Sequence, residues 1–367
     1  MKKNLVIFYP SLEKGGVTKI LENLIKHNHN MNIHIITSKK LLKKKNIHIH
    51  KYKNKFSLWK IPQRFNTSLN AMIKLYELLK ELDKNTIVHS MQSNIAAIIV
   101  CAILKKKIVI RNSENPIYST LYSENIFFAS IVFILKLIFY NFADGIITNS
   151  RGSANSLKYF VFSKKKVLPI YNPYLKKINK VNYRKKNVVI NIARLRKQKD
   201  HETLLKAFKI FLNTYKNYKL IILGHGNLEN RLKDLTLKLN INKKVEFKGW
   251  VNNSTKYLKF SKIFVLSSIY EGLGNVLIDA INLNVPCIST DCNSGPREIL
   301  LNGKGGYLAK VKSQNDLADK MINSIKNYKI SLKKNSFAKK KLSRFMIKKN
   351  SQIYFNYLNN FFLKNDN

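Results

Sequence analysis

The stretch KIFVLSSIYEGLGNVLIDAINLNVPCISTD, residues 262–291, contains one complete folding unit. A short apolar run, KIFVLSS, precedes the glycine-containing loop IYEGLG. A longer run with helical periodicity, NVLIDAINL, follows, and a second short run, VPCISTD, ends the unit. Two strands that are joined by a helix pair in parallel, because the helix is a crossover connection that lets the second strand run in the same direction as the first. The stretch therefore predicts a parallel sheet covered by helices.

The same alternation occurs twice along the chain. The first series runs from NLVIFY (4–9) to GIITNS (145–150), and the second begins at NVVINIAR (187–194). Between them lies a polar segment, residues 171–186, without apolar periodicity, and 367 residues exceed one ordinary core. We therefore predict an α/β protein of two doubly wound domains that face a central cleft. The boundary is placed at 172/173.

The composition is strongly basic, with 67 Lys and Arg against 20 Asp and Glu and a formal net charge of +47. Such a charge is expected of a protein that binds nucleic acid or an anionic membrane surface, and it also results when the whole composition has drifted towards lysine. The lysines occur along the whole chain and form no single stripe with aromatic residues, so no specific nucleic acid is expected. The three cysteines, at 101, 287 and 292, have no metal-type spacing and fit a reducing compartment. The apolar run at the N-terminus is too short for a signal peptide.

The segment NIFFASIVFILKLIFYNF, residues 125–142, is the most apolar part of the chain. Ser130, Lys136 and Asn141 interrupt it, whereas a membrane span needs about 20 mostly apolar residues. Three alternatives stay open: a buried helix, a helix lying in a membrane interface, and a transmembrane helix.

Two carboxylates flank the glycine-rich turn of the opening stretch. Glu271 precedes the helix and Asp279 lies eight positions further on, at most about 12 Å of helical rise away. The backbone N–H groups of 272–275, with the helix dipole behind them, favour a diphosphate. One acid is thus placed to meet a sugar and the other a ribose. The alternative is that both are ordinary surface charges of a helix.

Further candidates follow other predicted strands. Gly15 and Gly16 form a turn after the first strand that lets a ligand approach the backbone closely, or serve only as a tight turn. Arg194 and Lys199 follow the first strand of the second series, where a guanidinium and an ammonium can hold phosphate oxygens. His89 ends the strand TIVHS and either points at a sugar or lies in the core.

Glu271, the Gly-Leu-Gly and the acid eight positions on resemble the E-x7-E signature of the retaining GT-B glycosyltransferases of family 4. The likeness continues in order along nearly the whole chain. It includes GGVTKILENL, ADGIITNSRGSANSL, YNP, ARLRKQKDHETLLKAF, LGHGNLENRL and VEFKGWVNN. SGPREIL (294–300) and IRNSENP (110–116) are similar to bacterial members that extend lipid-linked polysaccharide units. The second acid is Asp here instead of the usual Glu.

The resemblance implies a GT-B fold, with a last helix at about 346–367 that packs back on the N-terminal, acceptor-binding domain. Residues 173–345 would form the donor-binding domain. Catalytic roles would go to Glu271 for the donor sugar, to Arg194 and Lys199 for the leaving diphosphate, and to His89 for the sugar. The implied donor-binding set also contains Gly15, Gly16, Gly272, Leu273, Gly274, Asn275 and Asp279. No metal and no other cofactor is implied.

The expected function is transfer of a sugar from a nucleotide-sugar to a lipid-linked saccharide in the synthesis of capsule, O-antigen or lipopolysaccharide. A UDP-sugar is the expected donor, with an N-acetylhexosamine as the candidate sugar, and a polyprenyl diphosphate is the expected carrier of the acceptor. We expect the protein at the inner face of the cytoplasmic membrane, docked through Lys105, Lys106, Lys107 and Lys136. The alternatives are a GT-B nucleotide-sugar epimerase and a basic membrane- or nucleic-acid-binding protein without catalysis.

Overall fold

The computed structural model describes residues 3–11, 16–27, 31–38, 46–52, 63–123, 125–180, 183–292 and 294–363.

The first half of the chain forms a seven-stranded sheet in which every strand pair is parallel. Its strands are β1 (Lys3–Phe8), β2 (Met31–Thr37), β3 (Ile47–Lys51), β4 (Ile87–Ser90), β5 (Lys107–Asn112), β6 (Gly145–Thr148) and β7 (Val167–Pro169). The strand order is β3-β2-β1-β4-β5-β6-β7. The direction of winding therefore reverses between β1 and β4.

In the described part of the first half, six α-helices connect these strands. They are α1 (Gly16–Lys26), α2 (Gln63–Glu81), α3 (Asn94–Ile103), α4 (Pro116–Leu121), α5 (Ile126–Phe139) and α6 (Arg151–Lys158). Two separate clusters of buried apolar side chains include residues of the strands, one containing Val6 and Val88 and the other Leu5 and Ile87. Strands covered on both faces in this way are typical of parallel sheets.

The second half forms a six-stranded parallel sheet with the order β10-β9-β8-β11-β12-β13. Its strands are β8 (Val188–Ile192), β9 (Lys219–Leu223), β10 (Val245–Phe247), β11 (Ile263–Leu266), β12 (Cys287–Thr290) and β13 (Tyr307–Ala309). Its helices are α7 (His201–Thr214), α8 (Glu229–Lys238), α9 (Thr255–Leu258), α10 (Asn275–Asn282), α11 (Gly295–Ile299), α12 (Gln314–Lys326) and α13 (Tyr328–Lys339). The predicted pair of doubly wound parallel sheets is confirmed. The exact boundary at 172/173 stays a prediction.

A last helix, α14 (Ile347–Leu363), returns from the second half to the first sheet. Its buried side chains Tyr354, Leu358 and Phe362 share a core cluster with residues of β1 and β2. The helix passes so close to β6 that a Cβ on Gly145 would lie 2.5 Å from the hydroxyl of Tyr357. Glycine at 145 thus leaves room for the side chains of this helix.

Helix α5 does not form part of the buried core, although its sequence is almost entirely apolar. None of its residues is buried, so the buried-helix alternative is wrong. Among the described residues, no helix combines the length and apolarity needed to cross a bilayer.

Candidate active site

The candidate site lies at the carboxyl ends of β8 and β11, which are neighbours in the second sheet. The strand order reverses at this pair, and ligands of doubly wound sheets bind at such a switch point. Arg194 follows β8 by two residues, Lys199 lies in the same loop, and Glu271 lies in the loop after β11. The fold thus brings these three predicted residues to one edge of the sheet.

Lys199 and Glu271 form an ion pair, with 2.5 Å between Lys199 Nζ and Glu271 Oε1. Both side chains are largely buried, with exposed fractions of 17% and 10%. The hydroxyl of Ser268 donates a second hydrogen bond to Glu271 Oε1 at 2.7 Å. A charge-assisted pair held by a third group has a fixed geometry. The carboxylate is therefore oriented before any ligand arrives.

The glycine-rich turn leads into α10. Gly274, the residue before the helix, has φ 81° and ψ 52°, a left-handed conformation that favours glycine. Gly272 faces the first half of the chain, where a Cβ would lie 1.8 Å from the carbonyl oxygen of Ser113. Leu273 is buried in the apolar core of the second half. The two glycines are thus required for different reasons, a backbone conformation and a close contact between domains.

The N-terminus of α10 faces the N-terminus of α1 across the cleft. A Cβ on Gly16 would lie 3.7 Å from Asn275 Nδ2, so these two residues are neighbours. Asn275 Oδ1 accepts a hydrogen bond of 3.0 Å from Asn172. Two helix N-termini that lie next to each other provide a partial positive charge suited to an anion. Gly15 lies outside the described residues.

Asp279 lies about one turn into α10, near Lys19 of α1 in the first half of the chain. It accepts a hydrogen bond from the hydroxyl of Tyr174, and Lys19 of α1 lies over the ring of Tyr174 at 4.2 Å. Burial raises the pKa of the Asp279 carboxyl, while Lys19 and the hydrogen bond from Tyr174 act in the opposite direction. The second acid therefore lies between the two domains, on the same helix as the glycine turn.

Comparison with known proteins places this site in a family. The family model described as "Glycosyl transferases group 1" matches residues 175–341. An uncharacterized glycosyltransferase of Methanocaldococcus jannaschii is 34% identical over 253 residues, 63% of this chain and 62% of its own length. The Campylobacter jejuni N-acetylgalactosamine-N,N'-diacetylbacillosaminyl-diphospho-undecaprenol 4-alpha-N-acetylgalactosaminyltransferase is 31% identical over 259 residues, 66% of this chain and 69% of its own length. The chain belongs to the group 1 glycosyltransferases.

The crystal structure of HepE from Anabaena in complex with UDP and glucose has the same fold as this glycosyltransferase. The TM-score is 0.78 at 17% sequence identity, over 97% of this chain and 99% of HepE. The prediction of a GT-B glycosyltransferase is therefore confirmed for fold and family. The assignment to the retaining family 4 and the roles of single residues remain predictions.

His89 is not brought to the cleft of the glycosyltransferase. Its side chain is 1% exposed. One ring nitrogen bonds to the carbonyl oxygen of Val109 and the other to the hydroxyl of Tyr354, both at 2.9 Å. Burial lowers its pKa to about 4. The geometry fits the core alternative, in which His89 joins the first sheet to α14.

Several residues that hold the site together carry no clear signal in the sequence. Glu298 of α11 accepts hydrogen bonds from the backbone N–H groups of Arg151 and Gly152, at 3.0 and 2.6 Å, in the first turn of α6. It also accepts one of 3.0 Å from the hydroxyl of Tyr171. The motif SGPREIL pointed to this segment, but the partners are distant in sequence. Nothing in the sequence around Ser268 indicates that its hydroxyl would bind Glu271.

Proposed function

We propose that this protein is a retaining glycosyltransferase that moves a sugar from a UDP-sugar to a polyprenyl-diphosphate-linked saccharide. The observation that carries the proposal is the buried Lys199–Glu271 pair at the switch point of the second sheet, beside the N-terminus of α10. The names of two similar proteins support the substrates. HepE was crystallised with UDP and glucose, and the Campylobacter relative acts on an undecaprenol diphosphate. An N-acetylhexosamine is the proposed sugar, in line with the name of that relative.

The proposed mechanism follows from the charges at the site. Departure of a nucleoside diphosphate places negative charge on phosphate oxygens, which Lys199, Arg194 and the N-terminus of α10 would stabilise. Glu271 would accept hydrogen bonds from hydroxyls of the donor sugar, oriented by Lys199 and Ser268. The acceptor proton would pass to the departing phosphate. The proposal requires no resident cofactor.

We further propose that the acceptor belongs to a surface polysaccharide and that the protein works at the inner face of the cytoplasmic membrane. A polyprenyl carrier is confined to the bilayer, so its transferase must reach the bilayer surface. The net charge of +47 favours an anionic leaflet.

The test is a panel of UDP-, GDP- and dTDP-sugars, with nucleoside diphosphate release measured with and without a polyprenyl-linked acceptor. Arg194→Ala and Glu271→Ala should abolish release. The matched controls are Arg196→Ala, an exposed arginine of the same loop, and Glu246→Ala, a surface carboxylate paired with Lys219.

Release from one UDP-sugar that the acceptor stimulates, and that the two site variants lose, would support the proposal. Conversion of the donor to an epimer without acceptor would replace it by the epimerase alternative. If no donor released a nucleoside diphosphate and the purified protein bound lipid or DNA, the result would favour the alternative of a binding protein without catalysis.

A further inference from the structure

Helix α5 presents an apolar face to solvent. Phe127, Ile131, Ile134 and Ile138 recur at positions i, i+4, i+7 and i+11, so they lie on one side of the helix. Their exposed fractions are 79%, 42%, 55% and 52%. A helix on the surface of a soluble domain normally turns such a stripe towards the core.

The single charged residue of α5, Lys136, lies on the opposite side of the helix from this apolar stripe. Lys136 lines a small cavity beneath the helix together with Phe133, Leu137 and Tyr140. Burial lowers the pKa of Lys136, and Glu114 is the carboxylate that acts on it in the opposite direction. The side of α5 that faces the domain thus contains its one cation together with Phe133 and Leu137, whereas the solvent side carries the four exposed apolar side chains.

The apolar surface continues beyond the end of α5. Phe142 and Phe162 are 64% and 93% exposed, and the backbone N–H of Phe162 donates to Asn141 Oδ1 at 2.7 Å, which holds the two segments together. Lys164 and Lys165 follow directly and are exposed. The surface made by the outer side of α5 with Phe142 and Phe162 is called the α5 face below.

This arrangement changes which lysines are available for docking. Of the four expected from sequence, Lys136 points inward. The ammonium of Lys106 donates to the carbonyl oxygens of Leu82 and Asp83, at 2.9 and 2.6 Å. Lys105 stays exposed at the end of α3, and Lys164 and Lys165 are further exposed cations next to the α5 face.

We propose that the α5 face inserts into the interfacial region of an anionic phospholipid bilayer. Its apolar side chains would enter the acyl boundary, and Lys164 and Lys165 would contact lipid phosphates. The 14 residues of α5 extend about 21 Å, less than the roughly 30 Å of hydrocarbon in a bilayer, so the helix lies along the surface. The pairing of an apolar face with neighbouring cations distinguishes a lipid surface from a purely apolar partner.

The position of the α5 face suits the proposed acceptor, and in this respect the inference rests on the proposed function. Helix α4 lies between β5 and α5 in the chain, and Tyr122 at its end stacks on Tyr270 with 6.3 Å between ring centroids. Tyr270 precedes Glu271. A bilayer at the α5 face would therefore meet the side of the N-terminal half that leads into the cleft.

The test is sedimentation of the full-length protein with vesicles, in the absence of any sugar nucleotide. Vesicles of phosphatidylglycerol and phosphatidylethanolamine are compared with pure phosphatidylcholine. We expect Phe127→Ser/Ile134→Ser to weaken binding to the anionic vesicles at least about tenfold, since apolar burial drives insertion. Leu237→Ser is the matched control, because Leu237 is 58% exposed on α8. Unchanged thermal melting of both variants would exclude misfolding.

The cations are tested in the same assay. Lys164→Gln/Lys165→Gln should weaken binding to anionic vesicles and lower its salt dependence, whereas Lys340→Gln/Lys341→Gln, an exposed pair at the end of α13, should not. Equal binding by wild type and the α5 variant would overturn the proposal. So would a wild-type dimer in light scattering that becomes monomeric in the α5 variant, since the face would then join two copies.

The assay also separates this proposal from the proposed function. Vesicle binding that depends on the α5 face, without sugar transfer from any donor, would support the proposed docking surface and contradict the proposed transfer to a lipid-linked acceptor. Sugar transfer to a lipid acceptor, together with unchanged vesicle binding by the α5 variant, would support the proposed function and contradict the docking surface.

Discussion

The substitution Gly272→Ala tests whether the two halves of the glycosyltransferase approach each other at Ser113 in the working enzyme as they do in the structure. The added Cβ would lie 1.8 Å from the carbonyl oxygen of Ser113 and 2.7 Å from Asn149 Nδ2, whereas real Cβ contacts are essentially never under 3.0 Å. Since the carbonyl of Ser113 belongs to the backbone, no rotamer change relieves the contact. The loop of Ser113 and the glycine turn must therefore move apart.

The size of the effect follows from this displacement. Overpacking costs about 1–3 kcal/mol, and in a domain of about 150–250 residues that lowers Tm by about 2 to 12 °C. A shift of about 1 Å at a reacting centre lowers the rate by about a hundredfold. We therefore expect a moderate loss of stability, a loss of kcat/KM of about two orders of magnitude, and a larger radius of gyration in X-ray scattering.

The control is Gly303→Ala. Gly303 has φ +86° and the nearest atom to an added Cβ is 3.9 Å away, so the substitution introduces backbone strain of about 1–2 kcal/mol without touching the other domain. It should lower Tm similarly and leave kcat/KM unchanged. If Gly272→Ala kept wild-type activity and the wild-type radius of gyration, the reasoning would be refuted, because the close contact at Ser113 would then be absent from the working enzyme.

Two further predictions concern the site and the core. Ser268→Ala removes the hydrogen bond to the Glu271 carboxylate and should lower kcat about tenfold, measured by product release. Ser261→Ala, which removes a buried hydroxyl bonded to the Tyr257 carbonyl, should lower stability alone, and equal kinetics of the two variants would contradict a positioning role for Ser268. The free energy of unfolding should decrease as the pH falls from 6.5 to about 4. In this range His89 becomes protonated in the unfolded chain, whereas burial keeps it neutral in the folded protein, where its pKa is about 4. Urea melts across this range should show a smaller decrease for His89→Gln, and identical slopes would disprove the assignment.

The sequence predicted the two parallel sheets because their signal is local. Each apolar run and each helical period can be read within a few residues, and the handedness of crossover connections then restricts the topology. The strand ends follow from the same pattern, so the sequence alone places Arg194, Lys199 and Glu271 after strands of the second sheet.

The direction of α5 could not be predicted, because a helix that is apolar on nearly every side has no periodicity to orient it. Its neighbours in the folded domain decide which side faces inward, and that side contains Lys136. The partners of His89 and Asp279 were missed for a related reason. Tyr354 and Tyr174 lie far away in the chain, and a single sequence carries no record of such contacts.

Helix α14 has a consequence for the order in which the nascent chain can fold. The first sheet receives Tyr354, Leu358 and Phe362 only after the whole second sheet has been made. At 5–20 residues per second, the ribosome needs roughly 10 to 30 s for that part of the chain. During this time an apolar groove of the first sheet stays open to water or to chaperones. A fragment that ends before α14 should therefore aggregate, and supplying residues 346–367 as a separate peptide should improve its solubility.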